Sequence, residues 1–152
     1  MNPQEYMKIA LDEAKQAFLE DEVPVGAVIV NPLDGSVIAQ AHNLSEHGDF
    51  AFSHAEIEVM QQACQKLKQN RLWGLDLYVT LEPCTMCAAA ASLMRIHKIY
   101  FGAYDEKGGA VDNGVCFYQA KTCHHRPQTE GGILEEESAQ LLKDFFKGKR
   151  KR

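Results

Sequence analysis

Apolar positions along this chain switch between two periods. From Pro3 to Leu19, Met7, Ala10, Leu11, Ala14, Ala17 and Phe18 recur at helical spacing, with Pro3 tolerated in the first turn. Val25 to Val30 is then a nearly continuous apolar run, Asn31 to Gly35 has turn chemistry, and Ser36 to Ala41 reads as the returning strand of a hairpin. Helical spacing resumes from Ser53 to Leu67 through Ile57, Met60, Ala63, Cys64 and Leu67. That segment opens with Ser53-His-Ala-Glu56, which fits a capping box. Leu75 to Thr80 predicts a strand, Cys84 to Ile96 an alanine-rich helix, and Lys98 to Ala103 a further strand. Strand, helix and strand in alternation imply parallel pairing in a sandwiched sheet, so the fold class is α/β. Glu135 to Phe146 predicts a closing helix, whereas residues 107–128, Gly-rich at first, show no usable period.

Composition narrows this picture. A chain of 152 residues suits one compact domain, residues 1–152, ending in a basic tail at 147–152. No stretch approaches the roughly 20 apolar residues of a membrane span, so no membrane partner is expected. The first residues lack the basic-then-apolar layout of a secretory signal. Five cysteines, two of them in Cys84-x-x-Cys87, suit a metal or redox pair in a reduced compartment better than a disulfide framework. The expected location is therefore cytoplasmic. A net charge of −5 opposes nonspecific adhesion to nucleic acid; the tail Lys147-Gly-Lys-Arg-Lys-Arg152 is a local exception, although such a tail is most often just a solvated terminus.

His54-Ala-Glu56 and Pro83-Cys84-Thr-Met-Cys87 supply one imidazole and two thiols, three of the four tetrahedral positions on zinc. A structural zinc site closes itself with four protein ligands, while a three-ligand site leaves a place for a water that ionises near neutral pH. The count favours catalysis, although Cys64, Cys116, Cys123, His124 or His125 could supply a fourth ligand and close the site. Both segments fall at expected helix N-termini, where the helix dipole stabilises thiolate. Glu56, two residues past His54, is placed to face the water as a proton shuttle without ligating the metal. Taken singly, Glu56 could be a cap, His54 a core histidine and the cysteines ordinary helix residues. Together in this order, H-x-E and P-C-x-x-C form the signature of zinc deaminases, which replace a ring amine with a carbonyl.

Over nearly its whole length the chain resembles the bacterial tRNA-specific adenosine deaminases of the cytidine deaminase superfamily. The likeness rests on Glu22-Val-Pro-Val-Gly-Ala-Val28, His54-Ala-Glu-Ile57, Leu77 through Ala88, Phe101-Gly-Ala-Tyr-Asp105, and the ending from Thr129 to Asp144-Phe-Phe146. It implies a three-layer α/β/α sandwich around a mixed sheet of about five strands. It also implies one Zn2+ per subunit and conversion of adenosine to inosine at the wobble position of a tRNA anticodon stem-loop, on a homodimer whose subunits together build each RNA site. Asn43 would contact the target base, Asp105 would lie near the neighbouring nucleotide, and Phe145, Phe146 and the tail would lie beside the RNA. Each has a plainer role open to it: Asn43 can end a strand, Asp105 can turn the chain, Val23 to Val25 can be core, and two adjacent phenylalanines cannot share one helix face. The chain departs from the family at Phe50-Ala-Phe-Ser53, where an Asp-Pro-Thr-Ala lead is usual, and at Ala89, where glycine is usual. Two other functions fit the motif: a deaminase of free guanine or cytosine, or a noncatalytic zinc module that binds RNA or a partner.

Overall fold

The computed structural model describes residues 1–150; Lys151 and Arg152, the end of the expected basic tail, lie outside the described residues. Helices α1 (Pro3–Leu19), α2 (Ala55–Leu67), α3 (Thr85–Leu93) and α4 (Glu135–Arg150) cover a five-stranded sheet. Its strands are β1 (Gly26–Val30), β2 (Val37–His42), β3 (Asp76–Leu81), β4 (Lys98–Ala103) and β5 (Gln128–Glu130), in the order β2-β1-β3-β4-β5. The hairpin makes β1 and β2 antiparallel, β1 also runs antiparallel to β3, and β3, β4 and β5 are parallel. The sheet is thus mixed, and the strand-helix-strand unit β3-α3-β4 is its parallel part.

Alternation within the strands creates two cores. Ala27, Ile29, Leu77, Val79, Ile99 and Phe101 pack with the buried faces of α2 and α3. Val28, Val30 and Tyr78 point the other way, toward Tyr6, Met7 and Ala10 of α1 and toward Ile133 ahead of α4. Being apolar on both faces, β1 is buried along its whole length, which explains its unbroken run. Fully burying side chains such as Phe101, Ile99 and Leu77 contributes roughly 1.5–3 kcal/mol each. At Gly26 the contact with α1 is closest: a Cβ there would lie 1.9 Å from the Ala10 carbonyl oxygen. Only glycine admits this approach, which sets α1 directly against the start of β1.

Helix ends depart from expectation in two places. The capping box expected at Ser53 and Glu56 is absent: the N-cap of α2 is His54, whose side chain makes no cap hydrogen bond. Instead, Oδ1 of Asn43, just past β2, accepts from the Ala55 N–H at 2.7 Å. Glu56 is turned inward and buried, so it cannot reach back to the cap. A capping box does occur on α1, between Asn2 and Glu5. The helix expected to run to Ile96 stops at Leu93, because Arg95 takes a left-handed φ of 65° and turns the chain into β4. Among the described residues, no helix is long and apolar enough to cross a membrane.

Candidate active site

Strand direction gathers the candidate residues at one end of the sheet. Since β1 runs against β2 and β3, the end where β1 begins is also where β2, β3 and β4 finish. Val25 therefore precedes β1, Asn43 follows β2, Cys84 follows β3 and Asp105 follows β4, all at the same edge. With His54 and Glu56 from the start of α2, these residues line a cavity of about 360 Å³ that also includes Val23, Leu81 and Glu82.

His54 and Cys84 are the N-cap residues of α2 and α3, each in extended backbone, and Cys87 lies in the first turn of α3. Nδ1 of His54 is 3.6 Å from Sγ of Cys84 and 3.6 Å from Sγ of Cys87. The three ligand atoms all fall within 4.8 Å of one another, and the group could hold a metal ion. No fourth His, Cys, Asp or Glu joins that cluster among the described residues. Three of the five alternatives are occupied elsewhere: Cys116 Sγ donates to the Asn113 carbonyl, Cys123 Sγ to the His125 carbonyl, and His125 Nε2 bonds the Ile96 carbonyl. A closed four-ligand site is therefore not what these residues build.

Electrostatics prepares one of the two sulfurs for a cation. Hydrogen bonding to Cys87, and then to the His54 imidazole, brings the Cys84 thiol down to about 4. The Cys87 thiol is instead pushed up by its hydrogen bond to Cys84 and by burial. The balance favours thiolate at Cys84, the form that ligates metal. His54 is raised by its bond to that sulfur. Glu56, only 4% exposed, has its carboxyl pushed up to about 7 by burial. A carboxyl in that range can both accept and release a proton near neutral pH.

The remaining sequence candidates separate. Asn43 is buried on the cavity wall; because Oδ1 is taken by the Ala55 N–H, its amide NH2 is the group left to face the cavity. Asp105 also lines the cavity, but its Oδ1 accepts the N–H groups of Lys107 and Gly108, so it shapes the turn after β4. Phe145 is core and packs edge-on against Phe18, while Phe146 is 44% exposed. Phe146 does not reach the cavity; it borders an adjoining hollow that shares Val23 and Glu46 with it. In the same hollow, Lys149 of the basic tail pairs with Asp21.

Two buried glutamates that the motifs do not single out fix the cavity's loops. Glu82 accepts from the backbone N–H groups of Asp105, Val111, Asp112 and Asn113 and from the Asn113 side chain, at 2.7–3.1 Å. Burial alone would raise its carboxyl, yet these donors hold it below the usual carboxylate range. Glu22 does the same for the other rim, accepting from Glu46 N–H and His47 N–H. The clue available in the sequence was an acidic residue directly beside each apolar segment at the cavity edge, at Glu22-Val23 and Leu81-Glu82.

Comparison with known proteins gives one answer at several levels. The family model for MafB19-like deaminases matches residues 1–150. A tRNA-specific adenosine deaminase of Agrobacterium fabrum is 54% identical over 145 residues, covering 95% of this chain and 94% of that protein. One from Bacillus subtilis is 46% identical over 147 residues, covering 97% and 90%. A solved structure from work on A-to-I editing by tRNA:A34 deaminases superposes with a TM-score of 0.88 at 53% identity, over 91% of this chain and 99% of that one. A guanine deaminase from Nitrosomonas europaea, at 20% identity and a TM-score of 0.78 over 95% of this chain and 84% of that one, shares the fold.

Proposed function

This chain belongs to the MafB19-like deaminase family, among the tRNA-specific adenosine deaminases, and from that premise we propose that it converts adenosine to inosine at the wobble position of a tRNA anticodon. The observation that carries the reading is the His54, Cys84 and Cys87 cluster, two of whose members, His54 and Cys84, line one cavity with buried Glu56 and Asn43. The metal we infer is zinc, one ion per subunit. Tetrahedral sulfur and nitrogen ligands at about 2.3 and about 2.05 Å lie about 3.6 Å apart, which is the spacing of Nδ1 from both sulfurs. When bound, zinc supplies Lewis acidity that brings a water toward ionisation near neutral pH.

The protein's own groups do the rest. The Glu56 carboxylate takes a proton from the attacking water and returns protons to the ring nitrogen and the departing amine, so water enters, ammonia leaves and a carbonyl replaces the amine. The Asn43 NH2 donates to an acceptor on the target base, which enters the cavity flipped from its stack, against the apolar wall of Val23, Val25 and Leu81. Asp105 holds the turn beside the neighbouring nucleotide, and Phe146 with the basic tail borders the RNA. We assign the working unit to a homodimer joined through α2 and α3, where Ile57, Met60, Cys64, Ala90 and Met94 line an open hollow of about 690 Å³. A tRNA substrate puts this work in the cytoplasm.

Mass spectrometry after incubation with an anticodon stem-loop RNA tests the reading. The expected product is inosine at the wobble adenosine. Turnover of free guanine or cytosine with none on the RNA would assign the chain to free-base deamination.

A further inference from the structure

We propose that Phe50 and Phe52, on the loop that leads into His54, form an aromatic platform on which a nucleobase neighbouring the target adenosine stacks. This rests on the RNA reading above. The rings lie 5.2 Å apart between centroids with their planes 19° from parallel, so each covers one face of the other. Phe50 is 56% and Phe52 50% exposed, the exposure expected of rings with one face covered and one open. Neither belongs to the core, and two open phenylalanine faces on one short loop are costly to leave in water unless something covers them.

The position is fixed with respect to the chemistry. Phe52 is two residues before His54, so their Cα atoms lie within about 7.6 Å. Ser53 N–H donates to the Phe50 carbonyl, His54 N–H donates to the Phe52 carbonyl at 2.7 Å, and Leu44 N–H donates to the Ser53 carbonyl. The platform's loop is thereby tied both to the metal-ligand segment and to Leu44, the neighbour of Asn43 on the cavity wall. A surface held this way loses little freedom on binding. The open ring faces match the flat face of a base. A single-stranded nucleotide next to a flipped base presents such a face, and aromatic stacking tolerates any base.

The test uses the zinc-loaded protein with an anticodon stem-loop RNA and compares F50A/F52A with F50Y/F52Y. Stacking one base is worth roughly a 5- to 150-fold effect on alanine replacement. The alanine pair should raise KM by that factor with kcat little changed, and the tyrosine pair should restore it. RNA made abasic at the stacking neighbour should cost the unmodified protein the same factor and leave the alanine pair unaffected. An unchanged KM, equal sensitivity of both proteins to abasic RNA, or conversion of a dimer to monomer by the alanine pair would overturn the platform alone; the last would give these rings to a second copy of the chain. No deamination of RNA by the unmodified protein would overturn the substrate reading and the platform with it.

Discussion

Asn43 carries two duties through opposite ends of one amide, and substitution can separate them. Its Oδ1 caps α2 through the Ala55 N–H, and its NH2 faces the cavity. Asn43→Ala removes both. Loss of an N-cap costs roughly 0.5–2 kcal/mol, and leaving a buried N–H without a partner costs roughly 1–3 kcal/mol. These describe the same bond, so about 1–3 kcal/mol is expected in total. For a chain of this size that lowers Tm by roughly 2–12 °C. Asn43→Asp keeps an acceptor at the helix N-terminus, where the dipole favours negative charge, and should recover most of that loss. Neither variant has the donor. An unpaired acceptor on the base then costs roughly 1–3 kcal/mol in the transition state, a fall in kcat/KM of roughly 5- to 150-fold in both. Differential scanning calorimetry and steady-state deamination of a stem-loop RNA read the two duties separately. The division of roles fails if Asn43→Asp melts as low as Asn43→Ala, or if it retains full kcat/KM.

Other residues give independent checks. Glu82→Gln places an NH2 against N–H donors that a carboxylate accepts, so at least two of its five donors lose their partner. At roughly 1–3 kcal/mol per stranded donor, urea unfolding should show a loss of about 2 kcal/mol or more, with faster proteolysis in residues 105–113; a loss under about 1 kcal/mol would contradict it. His42 sits between Glu13 and Glu20 at 2.7 and 3.0 Å. Burial alone would lower its pKa, but bonds to both carboxylates outweigh burial and raise it. A raised folded pKa contributes stability that is complete below the ordinary histidine value of about 6.5 and disappears as pH rises through the folded value. The stability penalty of His42→Gln should therefore be larger at about pH 5.5 than at about pH 9; a penalty that does not change with pH would contradict the pairing.

Local periodicity made α1, β1, β3 and β4 legible, because each buries a regular face set by neighbouring residues in sequence. The metal ligands were legible for a different reason: His54 and the Cys84-x-x-Cys87 pair each occupy one helix start, so spacing along the chain carries their geometry. What failed depends on partners distant in sequence. Ser53 looked like a cap, but the acceptor for α2 comes from Asn43 across the intervening loop. The first part of the unassigned stretch 107–128 is organised through its backbone by Glu82, just past β3, which accepts from the Val111, Asp112 and Asn113 N–H groups, and such a partner leaves no period. Strand β5 is three exposed residues, Gln128–Glu130, added to the sheet edge through backbone pairing with β4, and it has no apolar alternation to reveal it. The early stop of α3 lies in the left-handed backbone of Arg95, which nothing in that residue's type announces.

Glu56→Gln tests the central claim most directly, because it preserves size and removes only the ability to carry a proton. Metal content and single-turnover inosine formation on an anticodon stem-loop should be measured on the same sample. One zinc per chain should remain, while the rate falls by roughly 10²- to 10⁴-fold or more. A variant that keeps its metal and turns over within about tenfold of the unmodified protein would contradict the assignment of Glu56 as the group that moves the proton.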